Sequence, residues 1–159
     1  MGRTFEHLPH TFLKHGEEGL RDIVLAGLNS HYQGAATGET FRKRGKTDIH
    51  IEAESRDAFV AECKIWRGPK DLDSGIDQLL GYLTWRDCRT AFVIFNQDNA
   101  KFTALLEAVG RGFRTHGKFR AEKLRNEDGE WEFVMASMDD DDRKLIVRVL
   151  CFNLYTREK

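Results

Sequence analysis

Along the chain, apolar and polar positions alternate with two different periods. Leu20, Ile23, Val24, Gly27 and Leu28 fall on one side of a helical wheel, which predicts a helix over 17–30. Gly34 and Gly38 punctuate the next stretch, and 37–41 reads as a short strand. From 47 to 52 the period becomes two, with Ile49 and Ile51 on one face and Asp48, His50 and Glu52 on the other. Ser55-Arg56-Asp57 is a turn signal, and 58–66 reads as a second strand of a hairpin, apolar on both faces except at Glu62 and Lys64. Gly68-Pro69 stops that strand, and Ile76, Leu79, Leu80 and Leu83 predict a helix over 73–85. The run 90–95 predicts a buried, central strand, 102–113 another helix, and 119–124, 131–136 and 145–154 late strands around an acidic loop. The fold class is therefore α/β: helix, three strands, helix, strand, then an α/β extension.

Composition narrows this picture. A length of 159 residues suits one domain, and 40% hydrophobic with 32% charged residues suits a globular core rather than a disordered chain. No apolar run is long enough to span a bilayer and the N-terminal segment lacks an apolar signal core, so a cytoplasmic location with no membrane contact is expected. The three cysteines are far apart with no CxxC pair, which argues against a disulfide framework or a zinc site; Cys63 and Cys151 lie in apolar runs and read as core residues.

Charge changes the picture through its distribution. The net charge of −1 argues against tight non-specific binding to nucleic acid. Yet Arg42, Lys43, Arg44 and Lys46 cluster in one segment, and Arg111, Arg114, Lys118, Arg120, Lys123 and Arg125 in another. Negative charge gathers at Asp139 to Asp142, so a polarised surface is expected.

Glu62-Cys63-Lys64 carries the sharpest chemistry. Residues two apart on a strand point the same way, so a carboxylate and an ammonium project together from an apolar strand. Taken alone, that pattern reads as a salt bridge at a sheet edge. Asp48 on the preceding strand changes the reading. An odd number of hairpin residues brings Asp48 beside Glu62 or Lys64, and two carboxylates with an amine make a site for a hard divalent cation. His50 shares the Asp48 face and reads as a partly buried structural histidine.

The ordered set of Asp48, Glu62-Cys63-Lys64 and Gln78-Leu79-Leu80-Gly81-Tyr82 resembles the PD-(D/E)XK nuclease superfamily, the last run being similar to the QxxxY motif of RecB-type exonucleases. Thr47 stands where that superfamily's first motif has proline. The resemblance covers about 17–96, leaving 97–159 as the extension. It implies a restriction-endonuclease-like core and Mg²⁺- or Mn²⁺-dependent hydrolysis of phosphodiester bonds in DNA, with RNA left open. The implied metal ligands are Asp48, Glu62, the backbone carbonyl of Cys63 and a first-helix glutamate. Glu17 is preferred to Glu18 for that role because it falls near the apolar face with Leu20 and Val24. Lys64 is then expected to orient the attacking water, Gln78 to approach the bound phosphate, and Tyr82, Trp66, Arg67 and the segment Arg42, Lys43, Arg44 and Lys46 to contact nucleic acid. A homodimer or a larger defence complex is the implied assembly. The rival readings are a catalytically silent nuclease-fold module and an effector subunit active only with a partner.

Overall fold

The computed structural model describes residues 2–31, 36–42, 45–51, 59–84, 89–126 and 128–157; at 2–3, 28–31, 36–42, 45–48, 50–51, 89 and 126 it describes the backbone alone. The elements run α1 (Gly2–His7), α2 (Pro9–Phe12), α3 (Glu17–His31), β1 (Ala36–Arg42), β2 (Gly45–Ile51), β3 (Phe59–Ile65), α4 (Pro69–Tyr82), β4 (Arg89–Asn96), α5 (Phe102–Thr115), β5 (Phe119–Asn126), β6 (Glu130–Ala136) and β7 (Lys144–Asn153).

Among the described residues, seven strands form one mixed sheet in the order β1-β2-β3-β4-β7-β6-β5. The β3–β4 and β4–β7 pairs are parallel, whereas β1–β2, β2–β3, β6–β7 and β5–β6 are antiparallel. The middle strand, β4, explains its own sequence. Phe92 and Ile94 join a core with α4 and α5, while Ala91, Val93 and Phe95 join a second core with Phe5 and Leu20 of α1 and α3. A strand covered on both faces has no solvent side, so its apolar run is continuous rather than alternating.

Helices cover the sheet according to their apolar stripes. On one face, Leu72, Ile76, Leu79 and Leu80 of α4 pack with Leu105, Val109 and Phe113 of α5. Phe113 stacks on Phe133 of β6 with centroids 4.9 Å apart. On the other face, α1 seats Phe5 edge-on against Phe95, at 5.2 Å, and Phe12, at 4.9 Å. Cys63 and Cys151 are buried cysteines outside any disulfide, as their apolar surroundings predict, and desolvation pushes the Cys151 thiol far above its ordinary range. No helix among the described residues is long and apolar enough to cross a membrane.

Three differences from the sequence-based expectation have physical causes. First, α4 starts at Pro69, not at 73. Gly68-Pro69 does end the strand, but a proline at the first helical position needs no N–H partner and carries the right φ, so the same dipeptide also starts the helix. Gly68 takes φ 124°, a left-handed backbone that favours glycine. Second, α1 and α2 are too short for a period to be visible, and Phe5 anchors them through burial rather than propensity. Third, the sequence places 145–154 only as a late strand, whereas β7 pairs in parallel with β4 over Arg89–Asn96 and lies inside the sheet between β4 and β6.

Helix α4 lies unusually close to the sheet at Gly75, where an added Cβ would meet Phe92 Cζ at 2.8 Å. Phe92 is fully buried and stacked edge-on against Phe113, so its ring has little freedom to retreat. Gly75→Val is expected to cost roughly 2–3 kcal/mol through overpacking. Urea unfolding measures this directly; an unchanged midpoint would show that α4 does not approach the sheet this closely.

Candidate active site

The strand β3 builds the site from its final residues. Val60, Glu62 and Lys64 share the face that α4 covers, while Ala61 and Cys63 face the opposite core. Glu62 is 1% exposed, beside Phe92 in the β4 register. A carboxylate at such a depth needs a compensating partner. Lys64 supplies one, with Nζ 2.9 Å from Glu62 Oε1. The same ammonium is 3.5 Å from Glu17 Oε1. The second Glu17 oxygen accepts the backbone N–H of Ile65 at 3.0 Å. Glu17 opens α3, whose Leu20 belongs to the opposite core, so its carboxylate reaches across the end of β3 from the other side of the sheet.

Backbone register positions Asp48. Ile49 pairs with Ala61, His50 with Val60 and Ile51 with Phe59. Seven residues, 52–58, separate Ile51 from Phe59, so the odd spacing that the site requires is met. One step further along this ladder sets Asp48 opposite Glu62. The Asp48 and His50 side chains lie outside the described residues.

A cleft of about 210 Å³ opens at this end of β3. Glu17, Lys64, Trp66, Arg67 and Gln78 line it, with Asp71, Ser74 and Gly75 on its α4 wall. Gln78 is exposed to the cleft and donates from Nε2 to the Tyr82 hydroxyl. Tyr82 itself is only 6% exposed. Its hydroxyl meets Gln78, the residue four positions earlier on the same helical face. Trp66 is half-buried against the α4 core, and its N–H is held by the Phe95 carbonyl at 2.9 Å. Arg67 is exposed at the rim.

Asp71 and Ser74 are not singled out by the sequence pattern, because a helix starting at 73 leaves Asp71 in a loop. Counting back from Gln78 by seven and by four reaches Asp71 and Ser74 on the same helical face. That spacing is the signal that a correct helix start exposes.

The basic segments separate into two kinds. Arg42 pairs with Gly45, and Phe41 with Lys46, across the β1–β2 connection. Antiparallel pairing sets the start of β2 toward the end of β3, the end with the cleft. Lys43 and Arg44, and the side chains of Arg42 and Lys46, lie outside the described residues. In the second basic stretch three of the six residues pair with acidic groups: Arg114 with Glu122 at 2.6 Å, Lys118 with Asp141 at 2.8 Å, and Arg120 with Asp141 at 3.2 Å. The Lys118 hydrogen bond, together with the charges of Lys118 and Arg120, holds the Asp141 carboxyl below its ordinary range. The expected separation of charge is thus corrected here. The acidic loop folds onto the basic stretch rather than away from it.

As for a metal, no group of three His, Cys, Asp or Glu side chains is gathered for one among the described residues. Two carboxylates, Glu62 and Glu17, converge on Lys64, and extending the Ile49–Ala61 register by one residue would bring a third, Asp48, opposite Glu62. An all-oxygen set of this kind fits a hard cation such as Mg²⁺ or Mn²⁺ and does not fit a soft one. In comparisons with family models, curated proteins and solved structures, the chain matches none.

The contacts of Glu17 generate a test. Glu17→Ala removes a charged acceptor from the Ile65 N–H and is expected to cost about 1–2 kcal/mol, toward the lower end because the side chain is 33% exposed. Glu18→Ala, an exposed change in the same helical turn, is expected to stay within about 0.5 kcal/mol. Both remove one carboxylate from the helix start, so their difference isolates the contact. Equal costs in chemical denaturation would contradict the geometry.

Proposed function

We propose that the chain is a metal-dependent nuclease that hydrolyses phosphodiester bonds in DNA through a restriction-endonuclease-like site. The observation that carries this reading is the Glu62–Lys64 pair, joined from 47 residues away in sequence by Glu17. A plain salt bridge would need neither the second carboxylate nor a cleft. Asp48, Glu62, Glu17 and the Cys63 carbonyl would hold the cation, which when bound supplies Lewis-acid polarisation of the phosphate and a water of lowered pKa. Lys64 donates hydrogen bonds to orient the attacking water and offsets the negative charge that develops on the phosphate. Gln78, supported by Tyr82, presents its amide to a phosphate oxygen. Arg67 at the rim and the 42–46 segment attract the phosphate backbone.

One observation favours a narrower form of the same reading, an effector subunit that cuts only with a partner. The pairing of Arg114, Lys118 and Arg120 with acidic groups takes half of the second basic stretch out of play for phosphates, on a chain of net charge −1. Such a surface holds nucleic acid weakly by itself.

The test is cleavage of supercoiled and linear DNA with Mg²⁺, Mn²⁺ or EDTA, by the purified chain and by the chain with cell extract. Asp48→Ala, Glu62→Ala and Lys64→Ala are each expected to lower metal-dependent cleavage by at least about a hundredfold. Metal binding should be lost in the first two variants and kept in the third, because a protonated lysine is no ligand. Cleavage seen only after a partner is added identifies the effector. Metal binding unchanged in both Asp48→Ala and Glu62→Ala would return Glu62 and Lys64 to a structural ion pair.

A further inference from the structure

We propose that Lys64 is the resident cation of the carboxylate site and must swing aside when a divalent ion binds, so that one side chain sets both the metal affinity and the chemistry. This inference rests on the nuclease reading above and adds to it a competition between two cations for the same oxygens.

The argument begins with Glu62. Its carboxylate is 1% exposed, and a charge at that depth is tolerated only with a partner of opposite sign. Lys64 Nζ stands 2.9 Å from Glu62 and 3.5 Å from Glu17, between the two carboxylates. A hard divalent ion seeking the same oxygens needs that ground. Ammonium and metal ion cannot share it, because like charges within about 4 Å repel strongly where water is scarce.

Lys64 also has somewhere to go. Its side chain is 27% exposed and lines the cleft, while Glu62 is sealed. The stem lies against α4 without being clamped by it: even a Cβ added at Gly75 would stand 3.7 Å from Lys64 Cε, an ordinary van der Waals contact. A flexible four-carbon stem can therefore turn toward the cleft without leaving its strand. In the cleft the ammonium meets the phosphate and the attacking water, so the ion that displaces Lys64 also delivers it to its catalytic position. Without metal the site is self-neutralised, and Glu62 stays compensated while the chain waits for its cofactor.

The experiment is calorimetric titration of the full chain with MnCl₂, for the unmodified protein, Lys64→Met and Lys64→Arg. Removal of the competing charge should tighten Mn²⁺ binding in Lys64→Met by about tenfold or more. Lys64→Arg keeps a cation and should bind closer to the unmodified protein. Thermal unfolding gives a second readout: added Mn²⁺ should raise the melting temperature of Lys64→Met more than that of the unmodified chain. Equal or weaker Mn²⁺ binding in Lys64→Met overturns the competition but leaves the nuclease reading standing. No Mn²⁺ binding by any of the three proteins overturns both. Should Lys64→Met fail to fold, the lysine ammonium resonances of the unmodified chain decide the matter. The Lys64 signal should move as MgCl₂ saturates the site, and a signal that stays in place through the titration overturns the proposal.

Discussion

A carboxylate that is 1% exposed, on a strand otherwise made of apolar residues, has to be compensated, and the means of compensation shapes most of this chain's distinctive features. Glu62 receives the ammonium of Lys64 from the same strand, which requires a residue two positions on and therefore a regular β3 up to that point. Lys64 in turn meets Glu17, and Glu17 fastens the start of α3 to the Ile65 N–H. The close approach of α4 at Gly75 sets the helix against Phe92 and the lysine stem. Helix, strand and cleft are thus held in register by a small set of charged contacts at one end of the sheet.

Burial explains why such a cluster sits there. The parallel strands β3 and β4 are covered on both faces, so a polar group within them is costly, while beyond their ends the backbone turns away and a cleft can form. In open α/β sheets ligands gather outside the carboxyl ends of parallel strands for this reason. Lys64, Ile65 and the turn through Gly68 lie at such an end, with the start of α4 across the cleft.

Much of this is legible in the sequence, and the parts that are not have identifiable causes. The period of two around Ile49 and the continuous apolar run in β4 identify a hairpin strand and a central strand; β2 pairs antiparallel with β3, and β4 is the middle strand of the sheet. Glu17 is distinguishable from Glu18 by its position on the helical wheel, and Glu17 is the residue that reaches Lys64. The spacing of four in Gln78 and Tyr82 states that the two share a face, which they do, but not how deep each lies: Tyr82 is buried while Gln78 lines the cleft. The pairing of Asp141 with Lys118 and Arg120 joins residues more than 20 positions apart through the turn geometry between β6 and β7, which no local pattern encodes. The short helices α1 and α2 hang on one buried phenylalanine and have no periodic signature.

The central claim is that Glu62, with Asp48 opposite, forms a site for a divalent cation rather than half of a structural ion pair. Anomalous diffraction from crystals grown with Mn²⁺ tests it most directly. The account predicts one strong Mn²⁺ peak about 2.1 Å from carboxylate oxygens of both Glu62 and Asp48, with Lys64 turned away from Glu62. The absence of such a peak at saturating Mn²⁺, with the Lys64–Glu62 contact intact, would contradict it.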